Sequence, residues 1–328
     1  MPRSTTPLVG RAAELATVLT AVDHAAAGEA SVIVLDGDAG VGKTRLLAEL
    51  LDEASRRDVL ILIGHCVDLG DAPPPYLPFK EAFGRLAADR PELVEQMLSA
   101  HSEIARLLPR HGPSERGTEA RVDRGELFES VLGSLEIAAR DQPLLVIIED
   151  VHWADQATRD LLGFLFTRFE RQPITMLVSF RSDDLHRRHP LRPTLAQWAR
   201  LAAVGRLHLD PLGNDDVRRL VRALGPKPIA EADMRRIVTR ADGNAFFAEE
   251  LVAATESCPD AGQLPWQLAD LLLVRLDRLS PEAREIVRVA AVGGRRISHD
   301  MLAAVVDLTP SAVDDALRDA VDAHILQS

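Results

Sequence analysis

One octet limits what this chain can fold into. Gly37, Asp38, Ala39, Gly40, Val41, Gly42, Lys43 and Thr44 form a complete G-x-x-x-x-G-K-[ST] sequence, directly after the apolar, β-branched run Ser31-Val32-Ile33-Val34-Leu35. Strand, glycine-rich turn and helix start in that order read as a phosphate-binding loop. Its glycines let successive backbone N–H groups turn inward on phosphate oxygens, Lys43 reaches the β and γ phosphates, and Thr44 offers a hydroxyl to Mg²⁺. The helix beginning here, with Arg45 in its first turn, aims the positive end of its dipole at the same anion. Lysine occurs otherwise only at Lys80 and Lys227, while arginine is abundant. Composition alone would therefore yield the octet on the order of once in a thousand such chains, and an ammonium at this position points to a need for a compact charge. The plain alternative is a glycine-rich turn joining a strand to a helix.

With 328 residues the chain is long enough for two or three domains, each with a core. A hydrophobic fraction of 46% and the absence of long polar tracts mark it as folded. The formal charge of −12 argues against a nucleic-acid or membrane-surface partner for the segment as a whole, because phosphate recognition needs accumulated Lys and Arg. Two cysteines, Cys66 and Cys258, are too few for a disulfide framework. The N-terminal residues lack the apolar stretch of a secretion signal and no apolar run is long enough for a membrane span, so a cytoplasmic protein is expected.

Apolar spacing predicts a helix from Gly10 to Ala27 stopped by Gly28, then the phosphate-loop strand, a helix with the stripe Leu46, Leu47, Leu50 and Leu51, and a fully buried strand over Val59–Ile63. A proline-rich loop spans 71–78, and helical patterns run to about Leu108. A polar stretch at 111–117 precedes a helix from Thr118 to Ala139, the central strand Leu144–Ile148, another helix and the strand Ile174–Phe180. This alternation is the mark of a parallel sheet covered on both faces, the α/β class. Beyond about Pro211 only helical patterns follow: Asp215–Leu224, Glu231–Arg240, Phe246–Ala254, and a last block from Leu264 to the end.

The strand Leu144–Ile148 runs into Glu149 and Asp150. Neighbouring strand residues point to opposite sides, so one carboxylate can hold Mg²⁺ through water while the other faces the attacking water. A solvated strand end is the bland alternative. The strand Ile174–Phe180 leads to Arg181, whose guanidinium either reads the γ phosphate from the same sheet edge or makes a surface ion pair with Asp183 or Asp184.

Leu8-Val9-Gly10-Arg11, Glu149-Asp150-Val151-His152-Trp153-Ala154-Asp155, Ser179-Phe180-Arg181 and Gly243-Asn244-Ala245-Phe246-Phe247 together resemble the signalling ATPases with numerous domains, and within them the large ATP-binding regulators of the LuxR type in bacteria. The resemblance implies an AAA+-like P-loop core over 1–210, in which the strand ending at Arg181 lies between the phosphate-loop strand and the strand ending at Glu149. It implies a helical lid over 211–263 and an incomplete winged helix over 264–328. It assigns Leu8, Val9, Gly10, Arg11, Leu212, Ala245 and Phe246 to the nucleotide site, with Leu8 and Val9 lining the adenine pocket and Arg11 reaching toward phosphate. An apolar staple on the first helix is the alternative for Leu8 and Val9. Such proteins are switches with ATP, ADP and Mg²⁺ as ligands: ADP holds a closed monomer and ATP permits self-association. DNA is read only by a C-terminal region that lies outside this chain, which is expected to be an N-terminal module or a piece of a longer regulator.

Two positions depart from that family's pattern. Ala245 stands where a proline ring usually lies against adenine, and the loss of two methylenes costs at most about 1.6 kcal/mol, so binding is expected to survive. Glu149 stands where aspartate is common, which is expected to slow hydrolysis. A working AAA+ motor or loader is the competing function. Trp153 is read as core packing and Asp155 as the N-cap of the helix from Gln156. His65 and Cys66 lack further ligands at metal spacing, Phe164, Phe166 and Phe169 are read as core, and the run Arg187–Arg192 as a basic surface loop.

Overall fold

The computed structural model describes residues 7–68, 74–109, 124–224, 229–257, 276, 279–293, 299–306, 308–322 and 325–326. The chain divides into two compact units, Met1–Leu212 and Gly213–Ser328.

The first unit alternates strand and helix: α1 (Ala12–Ala26), β1 (Ser31–Gly37), α2 (Lys43–Arg56), β2 (Leu60–His65), α3 (Leu77–Asp89), α4 (Pro91–Ala100), α5 (Arg124–Ala138), β3 (Leu144–Glu149), α6 (Gln156–Arg168), β4 (Ile174–Arg181), α7 (Leu191–Trp198) and β5 (Val204–His208). All strand pairs are parallel, in the order β2-β3-β4-β1-β5. The strand ending at Arg181 thus lies between β1 and β3, the order that the family resemblance implies.

Near-continuous apolar strands follow from this architecture, since a strand covered on both faces must bury every side chain. The two-residue period sorts them. Val32, Val34, Val146, Ile148, Met176, Val178 and Phe180 join one core with Phe79, Phe83, Leu135 and Phe166. Ile33, Leu35, Leu145, Ile147 and Leu177 face the other core, with Val18 and Val22 of α1 and Leu46, Leu47 and Leu50 of α2. Burial on each face at about 25 cal/mol per Å² of apolar surface makes these two cores the main stabilising term.

The two edge strands differ from the sequence expectation. β2 is not fully buried: Leu60 and Leu62 are, whereas Ile61 and Ile63 are half-buried, because an edge strand has a neighbour on one side only. The other edge, β5, is five residues long and half polar, with Gly205, Arg206 and His208 exposed, so no apolar periodicity announces it. The expected helix from Thr118 begins among the described residues at Arg124; 110–123 lie outside them. Residues 71–73 of the proline-rich loop lie outside them too.

β5 carries a pairing that anchors the end of β1. The Asp36 carboxylate, fully buried, accepts hydrogen bonds from Arg206 Nε and a second Arg206 nitrogen at 2.8 Å each, and its Oδ2 lies 2.8 Å from His208 Nδ1. Burial pushes this carboxyl upward, but the Arg206 and His208 interactions outweigh it and hold Asp36 below its ordinary range. A depressed carboxylate pKa contributes stability that is present in full above the unfolded value of about 3.9 and lost as pH falls through the folded one. Arg206→Ala is expected to cost about 2 kcal/mol at pH 7, below the usual penalty for breaking a buried pair because the guanidinium is 67% exposed. Urea unfolding at pH 7 and below pH 4 checks this: the gap between wild type and variant should narrow in acid.

The second unit is helical among its described residues: α8 (Asn214–Leu224), α9 (Glu231–Ala241), α10 (Ala245–Ser257), α11 (Pro281–Gly293), α12 (His299–Val305) and α13 (Pro310–Asp322). α10 packs on α8 and α9, and Ile286, Leu302, Val313 and Ala316 form a separate small core among α11, α12 and α13. The segment 258–275, which contains Cys258, lies outside the described residues. No helix among the described residues is long and apolar enough to cross a membrane.

Candidate functional site

Parallel strands bring β1, β3 and β4 to a common carboxyl edge, where crossover loops leave a crevice in sheets of this kind. Gly37, Glu149 and Arg181 are the last residues of these strands. The loop from Gly37 to Gly42 then turns into α2, which starts at Lys43. Gly42 has φ of 108°, in the left-handed region, and sits as the N-cap of α2. A Cβ at Gly37 would come 2.8 Å from the Leu209 carbonyl oxygen, so the loop's first residue has no room for a side chain.

Lys43 donates from Nζ to the carbonyls of Gly37 at 2.6 Å and Asp38 at 2.9 Å, placing the ammonium against the first half of the loop. Burial pushes it down to about 8, opposed by Asp183, reinforced by Arg181 and opposed again by Asp150. Thr44 is exposed in the first turn of α2, and Arg45 pairs with Glu49 at 2.8 Å. Val41 is buried in the α1 and α2 core.

Arg11 braces the loop from behind. Its buried guanidinium donates to the carbonyls of Val41 (3.2 Å) and Asp210 and to Glu14 at 3.0 Å. These bonds commit it to the Val41 and Asp210 carbonyls and the Glu14 carboxylate rather than to a phosphate. Leu8 packs against the same core as α1, Gly10 takes φ of 69°, and Val9 is half-buried. Leu212 is buried at the end of the first unit. Ala245 and Phe246 open α10 in the second unit.

The acidic pair separates. Glu149 is buried, with Oε1 3.4 Å from His65 Nε2, while the His65 Nδ1 lies 3.0 Å from Glu81. Burial pushes the Glu149 carboxyl up, against the pull of His65 and with the push of Asp150 and Glu81. Asp150 turns the other way: its Oδ1 is 3.8 Å from Arg181 Nε, and it is one of the charges acting on Lys43. Arg181 thus stands at ion-pair distance from Asp150. Asp150 has φ of 56° and ψ of 44°, a left-handed conformation that costs a non-glycine residue energy and recurs at functional sites. Its N–H donates to Ser179 Oγ at 3.3 Å.

Several further residues, to which the sequence assigned no part in the site, meet it in the structure. Asp183 accepts a hydrogen bond from the Ala39 N–H at 3.1 Å, and Ser182 Oγ donates to Asp38 Oδ1 at 2.8 Å. His152 is buried, with Nε2 3.1 Å from Asp184 Oδ2, and burial pushes it down to about 4, so the ring is neutral at pH 7. Other readings resolve simply. Asp155 caps α6 by accepting from the Thr158 N–H at 3.0 Å. Trp153 and Phe164 pack on the larger core, and Phe166 and Phe169 are buried in it. Burial raises the Cys66 thiol to about 12, and among the described residues no cluster of three or more His, Cys, Asp or Glu could hold a metal by itself. Arg187 and Arg188 lie exposed on the turn before α7.

Magnesium needs no such cluster, because it keeps most of its waters and takes one or two protein oxygens plus phosphate. Asp150, facing the Lys43 side, and the exposed Thr44 hydroxyl fit that requirement.

The 28%-identical match to an uncharacterized protein of Rhizobium meliloti (strain 1021) covers 96% of this chain and 32% of that protein, so the chain spans about a third of its curated relative's length. A Walker-type ATPase of Pyrococcus abyssi superposes with a TM-score of 0.61 at 14% identity, over 96% of this chain and 89% of that one. A signal transduction ATPase with numerous domains and a tetratricopeptide repeat sensor, from Pyrococcus horikoshii, gives a TM-score of 0.47 at 15% identity, over 98% of this chain and 41% of that one. The family model of the AAA ATPase domain matches residues 7–178, more than half of the sequence. With its phosphate loop, parallel sheet and sheet-edge acid, the chain belongs to the AAA ATPase domain family.

Proposed function

We propose that this chain is a nucleotide-dependent switch: it binds ATP and ADP with Mg²⁺, hydrolyses ATP slowly, and serves as the nucleotide-binding module of a larger bacterial regulator of the LuxR type. The observation that carries this reading is the convergence of Lys43, Asp150 and Arg181 at one sheet edge, beside a glycine loop shaped for phosphate. Lys43 grips the β and γ phosphates, Thr44 and Asp150 hold Mg²⁺, Asp150 or Glu149 orients the attacking water, and Arg181 senses the γ phosphate. Held by His65, Glu149 supports a slow rather than a fast hydrolase. Magnesium neutralises charge on the phosphates when bound.

In this reading Leu8, Val9, Leu212, Ala245 and Phe246 face the base, residues 211–263 form the lid, and 264–328 belong to a winged helix. ATP favours self-association, and DNA is contacted by another part of the longer protein. The match to a relative three times as long supports a module within a larger chain.

Membership of the AAA ATPase family supports a motor or loader equally. Hydrolysis rates separate the two. A switch should turn over at about 0.01 s⁻¹ or slower at every protein concentration, whereas a motor with an arginine supplied across subunits should exceed about 1 s⁻¹ and accelerate as the protein is concentrated. Fast, concentration-dependent turnover would remove the switch.

A further inference from the structure

Four consecutive residues leaving β4 tie the two halves of the site together. Arg181 Nε lies 3.8 Å from Asp150 Oδ1, and the Ser182 N–H donates to the Gly37 carbonyl at 3.3 Å. Ser182 Oγ donates to Asp38, Asp183 accepts from the Ala39 N–H, and Asp184 approaches His152. Residues 181 and 184 thus meet the Asp150 turn, and residues 182 and 183 meet the phosphate loop.

Asp183 is the unusual member. A phosphate loop directs its N–H groups at an anion, and here the chain itself brings a carboxylate to one of them. Its position along the loop follows from Lys43. That side chain reaches the outer phosphates, and its ammonium lies on the carbonyls of Gly37 and Asp38, the residues next to Ala39. The Asp183 charge therefore stands at the terminal-phosphate end of the cradle. A diphosphate ends short of it. A triphosphate brings a further negative group toward it, at a repulsion that a divalent cation offsets.

Resting on the nucleotide-binding reading above, we propose that Asp183 is a charge filter that biases the loop toward nucleoside diphosphate and makes triphosphate uptake depend on a divalent cation. It is a specificity-determining residue: the hydrogen bond to Ala39 holds the carboxylate in place, and its charge does the selecting.

Asp183→Asn removes the charge while leaving an amide oxygen that can still accept from Ala39. Titration of the full chain with ATP and with ADP, each with magnesium and with a chelator, reads the effect. The variant should bind ATP without magnesium about tenfold more tightly than wild type, the worth of one like charge at the edge of a half-exposed site. Its ADP affinity should change less than about twofold, and the ATP gain should shrink once magnesium is added. Equal changes for ATP and ADP overturn the filter. So does a loss of ATP affinity confined to magnesium, which would make Asp183 a metal ligand. Asp183→Ala separates a mere brace: an Asn variant like wild type beside an Ala variant weakened for both nucleotides also overturns it. Wild type that takes up neither nucleotide removes the binding reading and the filter with it, whereas wild-type binding with an unaltered ATP preference in Asp183→Asn removes the filter alone.

Discussion

Lys43→Ala is expected to lower the affinity for both ATP and ADP by about a hundredfold or more. The ammonium contributes charge-assisted hydrogen bonds to phosphate, each worth about 1.5–3 kcal/mol, and two of them at the lower figure already amount to about a hundredfold. No other lysine of the chain belongs to this loop, and Arg11 is held by the Val41 and Asp210 carbonyls. The fold should be intact, because among the described residues Lys43 bonds to carbonyls of its own loop and the α2 stripe Leu46, Leu47 and Leu50 is untouched. Calorimetric titration of wild type and variant, with a thermal melt as control, reads both results. A variant that melts normally and still binds within about threefold of wild type would show that the phosphate is gripped elsewhere.

The second large effect is expected at Asp150. Asp150→Asn should reduce ATP hydrolysis by about a hundredfold or more, the usual worth of a positioned acid–base or metal-holding carboxylate, while nucleotide affinity falls by no more than about fivefold. Asparagine is the informative replacement, since it tolerates the left-handed backbone that the position requires. Single-turnover hydrolysis separates the chemical step from product release. If Asp150→Asn hydrolyses normally and Glu149→Gln does not, Glu149 rather than Asp150 is the acid on which the chemical step depends. If both variants lose binding equally, neither division of labour holds.

Most of the sheet was legible in the sequence because its strands are buried on both faces. Val32–Leu35 and Leu144–Ile148 are apolar throughout, and Ile174–Phe180 admits only Thr175 and Ser179, both buried, because one side chain in two faces each core. The edges were less legible for the same reason: Ile61 and Ile63 are apolar yet only half-buried, and β5 carries Gly205, Arg206 and His208 on exposed positions. Helix starts such as Asp155 before α6 were visible because a cap is a local device.

The site divides in the same way. Gly37 to Thr44 could be recognised because the chemistry of a phosphate loop is contained in eight consecutive residues. Glu149 is the last residue of β3 and Asp150 leaves the strand in a left-handed conformation, so which carboxylate acts on Lys43 and which lies by His65 depends on that turn and on where β2 and β4 lie, not on strand alternation. Ser182 bonds to Asp38 across 144 positions of sequence and Arg206 to Asp36 across 170. Such pairings exist only once the parallel register of β1 with β4 and β5 is set, so no local pattern announces them.

The most direct test of the central claim is equilibrium binding of adenine nucleotides to the purified full chain in magnesium, followed by calorimetry. Saturable uptake of one ADP or ATP per chain, abolished by Lys43→Ala, is the result predicted. Folded protein that binds neither nucleotide at millimolar concentration would contradict it.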